Sequence, residues 1–169
     1  MTANVLFLGA DLAARHRPWM LLDLNAGESG AVIVSPEAPC PNAPIPVHVV
    51  EPYYGHGAIG EIAWDLHAQR PFTHVIALTE HDVEIAGVLN EHFDLPGAAR
   101  WRQIQTGRDK EAMKRLWDLN AVPTARHGVL REAADLRELA GRFGYPLVVK
   151  PRAAGGSVGV SLLDRKSVV

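Results

Sequence analysis

Two lysines and one glycine-rich run are the residues whose types and spacing could do chemistry in this chain. Lys150 ends the apolar run Leu147-Val148-Val149 and leads directly into Pro151-Arg152-Ala153-Ala154-Gly155-Gly156-Ser157-Val158-Gly159-Val160. Lys110 stands earlier, in Thr106-Gly107-Arg108-Asp109-Lys110, at the start of a helix-forming stretch. Triphosphates need cations near their oxygens and backbone N–H groups that can approach closely. Gly155, Gly156 and Gly159 remove side-chain bulk and permit positive φ, so a loop there can fold its amides inward over an anion. Ser157 adds a hydroxyl donor. Lys150 is a compact charge at the edge of such a site. Lys110, in a first helical turn, opposes the helix dipole by about 0.3–1 kcal/mol, a cost expected where its partner is an anionic ligand. Singly, a lysine reads as a solvated surface residue and Gly-Gly-Ser as a hairpin turn or linker. Together, and in this order, they favour phosphate binding.

A second glycine motif competes for attention. Gly55-His56-Gly57-Ala58-Ile59-Gly60 matches G-x-G-x-x-G, and Glu80 lies near the acidic position of a dinucleotide fingerprint. In that fingerprint the strand runs straight into the first glycine, because the turn must bring the helix N-terminus against the pyrophosphate. Here Glu51-Pro52-Tyr53-Tyr54 intervene, and the motif follows the third strand rather than the first. A flexible helix entry explains it better, while an NAD(P)-dependent oxidoreductase fragment stays open as the alternative function. Glu80 itself has two readings. It lies past a strand's carboxyl end, where open α/β sheets bind ligands, and so is a candidate for the substrate side. The neighbourhood of a helix N-cap, Thr79-Glu80-His81-Asp82, explains it as well, and somewhat better.

The remaining polar residues say less. Eight histidines form no H-x-x-x-H pair or other metal-ligand cluster, and a metal site is not expected in this chain. The single cysteine, Cys40, excludes an internal disulfide and a thiolate zinc site, and reads as a loop thiol in a reducing compartment. Seventeen basic and nineteen acidic residues are interspersed, with no basic stripe, so nucleic acid is not an expected partner. The N-terminus lacks a basic leader and no segment has the apolar length of a membrane span; a cytoplasmic protein is expected.

Regular elements must hold these groups. Apolar runs at Val5–Leu8, Ala31–Val34, Val47–Val50 and Thr73–Thr79 read as strands. Helical patterns cover Pro18 to about Asn25, Ala58–Gln69 and Asp82–Phe93. Their alternation predicts an α/β domain with a parallel, doubly wound, Rossmann-like sheet over residues 1–104, closed by the boundary signal Leu95-Pro96-Gly97. From 105 to 169 a second portion follows. Its helix opens at Thr106, with Thr106 and Asp109 spaced like a capping box. A strand near Ala125–Val129, a helix at Glu132–Phe143 and strands at Leu147–Lys150 and Val158–Leu163 complete it.

In order, Asp109-Lys110 with Met113, the Ala121-Val122-Pro123 turn, Gly144-Tyr145-Pro146-Leu147-Val148-Val149-Lys150-Pro151, and Gly155-Gly156-Ser157-Val158-Gly159-Val160 resemble the ATP-grasp superfamily. Val75–Glu80 and Leu95–Gly97 look like the preceding domain of its carboxylate–amine ligases, the L-amino-acid ligase relatives. The resemblance is strong over residues 106–164 and weak over the first seventy. It implies a Rossmann-like pre-ATP-grasp domain followed by part of an α+β ATP-grasp subdomain. It also implies an ATP-dependent ligase that forms an amide or peptide bond through an acylphosphate. Lys110 and Lys150 would contact ATP phosphates, and the 153–159 loop, including Gly155, Gly156, Ser157 and Gly159, would cover them. Ala153-Ala154 departs from the pattern, which leaves the loop's flexibility open, and Arg152 reads as a weaker candidate or a solvent-facing residue. Cofactors implied are ATP and Mg²⁺, with the metal ligands and catalytic residues expected downstream of Val169, since Asp164 alone cannot supply them. Partners implied are small carboxylate and amine substrates. A truncated product unable to turn over ATP is the expectation for these residues; a non-catalytic nucleotide-binding module and a homodimer remain open.

Overall fold

The computed structural model describes residues 2–9, 17–36, 42–51, 53 and 57–164. Cys40, His16, Gly55 and His56, which entered the sequence reading, lie outside them. The chain divides into two compact units, Met1–Ile104 and Gln105–Val169.

In the first unit four strands, β1 (Asn4–Gly9), β2 (Ser29–Val34), β3 (Val47–Val49) and β4 (His74–Ala77), pair in parallel in the order β3-β2-β1-β4. The expected α/β class with a parallel sheet is what forms. All six residues of β1 are buried, as a central strand covered on both faces requires, and its sequence is correspondingly apolar without alternation. Leu6 and Leu8 point to one face, with Ala31 and Ile33 of β2. Helices α1 (Gly57–Gln69) and α2 (Val83–His92) cover that face through Ile59, Ala63, Ile85, Ala86 and Leu89. Val5, Phe7, Val32 and Val34 point to the other face, where Trp19, Leu22 and Ile45 pack. At the amino ends of the strands, buried Asn4 ties three segments together. Its amide nitrogen donates to the carbonyls of Arg70 (3.0 Å) and Pro71 (3.1 Å), and its amide oxygen accepts from the Ser29 hydroxyl (2.8 Å).

Two local expectations need correction here. Pro18–Asn25 is not one helix but two 3₁₀ segments, Pro18–Leu21 and Leu24–Ala26. Leu22 is extended, and the Asp23 carboxylate accepts the Ala26 N–H, so a new turn begins where the helix would have continued. The chain then reverses at Gly27, whose φ is 83°. A helix absent from the reading, α3 (Trp101–Arg108), also forms; Gln103 reaches back to accept the Arg100 N–H at 2.8 Å.

The second unit holds helices α4 (Lys110–Leu119) and α5 (Ala133–Phe143) and an antiparallel hairpin of β5 (Leu147–Val149) and β6 (Ser161–Leu163). Leu147 pairs with Leu163 and Val149 with Ser161. Thr106 lies inside α3, so the expected capping box does not form; Asp109 is itself the N-cap of α4. The strand expected near Ala125–Val129 pairs with no other among the described residues. Gly128 instead faces α5, where a Cβ would stand 2.4 Å from Leu139 Cδ2, and Arg126 donates to the Phe143 carbonyl at 2.8 Å.

The sheet makes a sharp demand at Gly30, where an added Cβ would lie 2.4 Å from the Val5 carbonyl oxygen. Gly30→Ala should cost about 1–3 kcal/mol by overpacking, read as a lower urea midpoint. Gly60→Ala, at an open helical position, should be neutral or stabilising by about 0.5–1 kcal/mol. Equal effects of the two would refute this account of Gly30.

Candidate phosphate-binding site

The site begins with the carboxylate of Asp109. It accepts the backbone N–H groups of Glu111 (2.9 Å) and Ala112 (3.3 Å), two of the donors that a helix start leaves without intrahelical partners. Because Asp109 caps, Lys110 becomes the first helical residue. Its N–H donates to the Arg152 carbonyl at 3.0 Å. Its ammonium donates to the Ala154 carbonyl at 2.8 Å and, more loosely, to that of Arg152 at 3.4 Å. An ammonium carries three protons, so a donor direction remains for an anion beside the loop.

The same loop is held by charge. Arg152 Nε donates to Asp109 Oδ1 at 3.2 Å, its Nη2 meets Asp109 Oδ2, and its Nη1 lies 3.0 Å from Glu111 Oε2. The Arg152 guanidinium is the main reason that the Asp109 carboxyl sits at about 2. Partial burial opposes it, and the N–H groups of Ala112 and Glu111 add to it. The sequence offered Arg152 as a weaker site candidate or a solvent-facing residue and did not reveal its pairing with Asp109 and Glu111. The available signal was the pair of acids, Asp109 and Glu111, flanking Lys110.

Beyond Ala154 the chain makes two successive turns. Gly155 C=O accepts the Val158 N–H (3.2 Å), with Gly156 and Ser157 at φ of 60° and 62°. Ser157 C=O accepts the Val160 N–H (3.3 Å), with Gly159 at φ of 70°. Left-handed residues at both centres of the first turn belong to the hairpin-closing type, and glycine adopts them without steric cost. A Cβ on Gly159 would approach Pro151 Cγ to 2.7 Å, so only glycine lets the loop close on Pro151. Lys150 is exposed where β5 enters this loop. The structure thus brings Lys110 against the 152–154 segment, with Gly155, Gly156, Ser157 and Gly159 forming the turns beyond it.

The other candidates lie elsewhere. Glu80 is exposed in the turn between β4 and α2, in the first unit. Beside it, Asp82 is 1% exposed and accepts the hydroxyls of Tyr53 (2.7 Å) and Thr79 (2.6 Å), a buried cluster that the sequence did not reveal. Gly57 and Gly60 lie on α1, within a groove also lined by Glu61, Asp65 and Glu84, which would repel a pyrophosphate. His67 serves the core. Its Nδ1 accepts the Phe72 N–H at 3.0 Å, its ring stacks on Phe93 at 3.9 Å, and burial lowers its pKa. Among the described residues no three His, Cys, Asp or Glu side chains are grouped to hold a metal ion. No helix among them is long and apolar enough to cross a membrane.

A parallel four-stranded unit followed by a unit with a glycine-turn hairpin is a fold shared with solved ligases and synthetases. In particular, the chain is similar to the L-amino acid ligase of Bacillus licheniformis. That likeness has a TM-score of 0.78 at 19% identity, over 99% of this chain and 40% of that one. It is also similar to N5-carboxyaminoimidazole synthetase of Staphylococcus aureus complexed with ADP, with a TM-score of 0.73 at 16% identity over 98% and 42%. By sequence it is 45% identical over 53 residues to the D-alanine–D-alanine ligase of Ralstonia nicotianae, 31% of this chain and 16% of that protein. Against the D-alanine–D-alanine ligase of Acinetobacter baylyi it is 33% identical over 85 residues, 50% of this chain and 27% of that one. The matches thus span under a third of these curated relatives. No protein-family model matches the chain. These relatives are ligases, and nothing among them supports the oxidoreductase alternative.

Asp109's folded pKa lies below the ordinary carboxylate value. Its contribution to stability is therefore present above about pH 4 and is lost as pH falls towards about 2. Carbon-13 NMR of the side-chain carboxyls should find the Asp109 midpoint near about 2, moving up towards the ordinary range in Arg152→Ala. An unmoved midpoint would show that the guanidinium does not hold this carboxylate.

Proposed function

We propose that this chain is the phosphate-gripping front part of an ATP-dependent carboxylate–amine ligase. The observation that supports this is the attachment of the 152–154 segment to the Lys110 helix start, which holds an ammonium beside the glycine loop. A solved neighbour that holds ADP and curated relatives that join D-alanine to D-alanine support it.

In the reaction so proposed, a carboxylate oxygen of one substrate attacks the γ-phosphorus of ATP. The new O–P bond forms as the bridging bond to the β-phosphate breaks, giving an acylphosphate and ADP. The amine nitrogen of the second substrate then attacks the acyl carbon, the C–O bond to phosphate breaks, and the nitrogen loses a proton. This chain's share is positioning and charge. Lys110 and Lys150 bind phosphate oxygens, the amides of Gly155, Gly156, Ser157 and Gly159 with the Ser157 hydroxyl close over them, and the loop keeps water away. Glu80, at the carboxyl end of β4, is proposed to face a substrate. The described residues offer no carboxylate set for Mg²⁺. Small carboxylate and amine substrates and a cytoplasmic setting belong to the same proposal, as does the organisation of residues 105–169 as an ATP-grasp subdomain following a Rossmann-like domain over 1–104.

Isothermal titration with a non-hydrolysable ATP analogue should show saturable binding. Lys110→Ala and Lys150→Ala should each weaken it by about 10–100-fold, the effect of deleting a charge-assisted hydrogen bond. NAD should give no saturable heat. Absence of nucleotide binding, or binding that ignores both substitutions, would refute the assignment.

A further inference from the structure

Gly57 and Gly60 of the G-x-G-x-x-G motif find no part in the phosphate site, yet they line a cavity of about 770 Å³ beside α1 and α2. That volume falls in the range of small-molecule sites. Gly57, Gly60, Glu61, Trp64 and Asp65 recur at helical spacing along α1, and Glu84, Ile85, Val88, Leu89 and His92 along α2; Trp101 completes the lining. Ile85 and Leu89 form a buried floor. Trp64 and Trp101 remain 52% and 43% exposed, although both belong to the cavity wall. Trp64 is steadied against His92, with ring centroids 4.7 Å apart.

We infer that this groove binds a small organic cation: an ammonium group with an apolar body. Three observations lead there. The lining carries three carboxylates, Glu61, Asp65 and Glu84, and no lysine or arginine among its described residues, so an anion would be repelled. Two indoles stand half in water, and the face of an indole attracts a cation, more strongly as the cation is desolvated. The buried Ile85 and Leu89 in the same lining accept the ligand's apolar body. A second copy of this chain fits poorly, because a two-fold pairing across the groove would set three carboxylates against three. The glycines also acquire a use. A Cβ on Gly57 or Gly60 meets nothing within 4 Å, so the absent side chains keep the groove open rather than relieve a clash.

The site belongs to the first unit and its test does not depend on ATP. The 169-residue chain, labelled with nitrogen-15, is titrated with choline and separately with its neutral carbon isostere, 3,3-dimethylbutan-1-ol. Choline should shift the indole N–H signals of Trp64 and Trp101 saturably, and the isostere should bind at least about tenfold more weakly. Gly60→Leu fills the groove without touching the core and should abolish the shifts while the far-ultraviolet circular dichroism is retained. Glu61→Gln with Asp65→Asn should weaken choline by about tenfold or more and leave the isostere unchanged. Equal binding of the two probes, no shift with either, or undiminished choline binding in folded Gly60→Leu would each overturn the inference.

Discussion

One carboxylate sets the geometry on which the candidate site depends. Asp109 must leave the helical region to cap α4, with φ of −76° and ψ of 104°, and this makes the next residue, Lys110, the first helical one. The N–H of a first helical residue lacks an intrahelical acceptor, so it is available to the Arg152 carbonyl. The Lys110 side chain meets the Ala154 carbonyl of the same loop, and Arg152 returns to Asp109. The cap, the lysine and the loop therefore form a closed ring of contacts. Its parts differ in strength. An exposed ion pair is worth about 0–1 kcal/mol, and Arg152 is 59% exposed; a cap is worth about 1 kcal/mol. The ring specifies where the ammonium sits more than it stabilises the fold.

The first unit rests on a different constraint. β1 is buried on both faces and therefore needs a partner strand on each edge; β2 takes one and β4 the other. Since β3 adds beyond β2, the chain must cross back over β2 and β1 to reach β4, which places the reversal of strand order between β1 and β4. Open sheets offer a crevice at such a reversal. The buried Asp82, gripped by the hydroxyls of Tyr53 and Thr79, fixes the turn that leaves β4 there, and Glu80 is carried on that turn.

How much of this was legible in the sequence follows from range. Continuous apolar runs such as Val5–Leu8 announce strands buried on both faces, and the 3.6-residue stripe through Ile59, Ile62 and Leu66 announces α1, because each signal is local. Asp23 and Asp109 were harder, since whether a short polar side chain continues or interrupts a helix depends on which N–H it captures. Thr106 and Asp109 had capping-box spacing, yet Asp109 took the cap alone and α3 absorbed Thr106. The stretch Ala125–Val129 lies against Leu139 on a later helix at Gly128, a contact with no local trace. Of the site, Lys110, Lys150 and the glycines were visible as types and spacing; the Arg152 contacts were not, because they join residues 109 and 152.

The two glycine motifs show why spacing alone cannot assign a ligand. Gly156 and Gly159 take positive φ inside turns, and the lysine ammonium contacts the same loop, so the glycines there serve backbone conformation next to a cation. Gly57 and Gly60 lie on a helix at no positive φ, beside three carboxylates and two indoles. There the absence of a side chain leaves space. A glycine supplies either an unusual φ or an empty volume, and the charge of the surrounding side chains then decides whether the place it makes suits an anion or a cation.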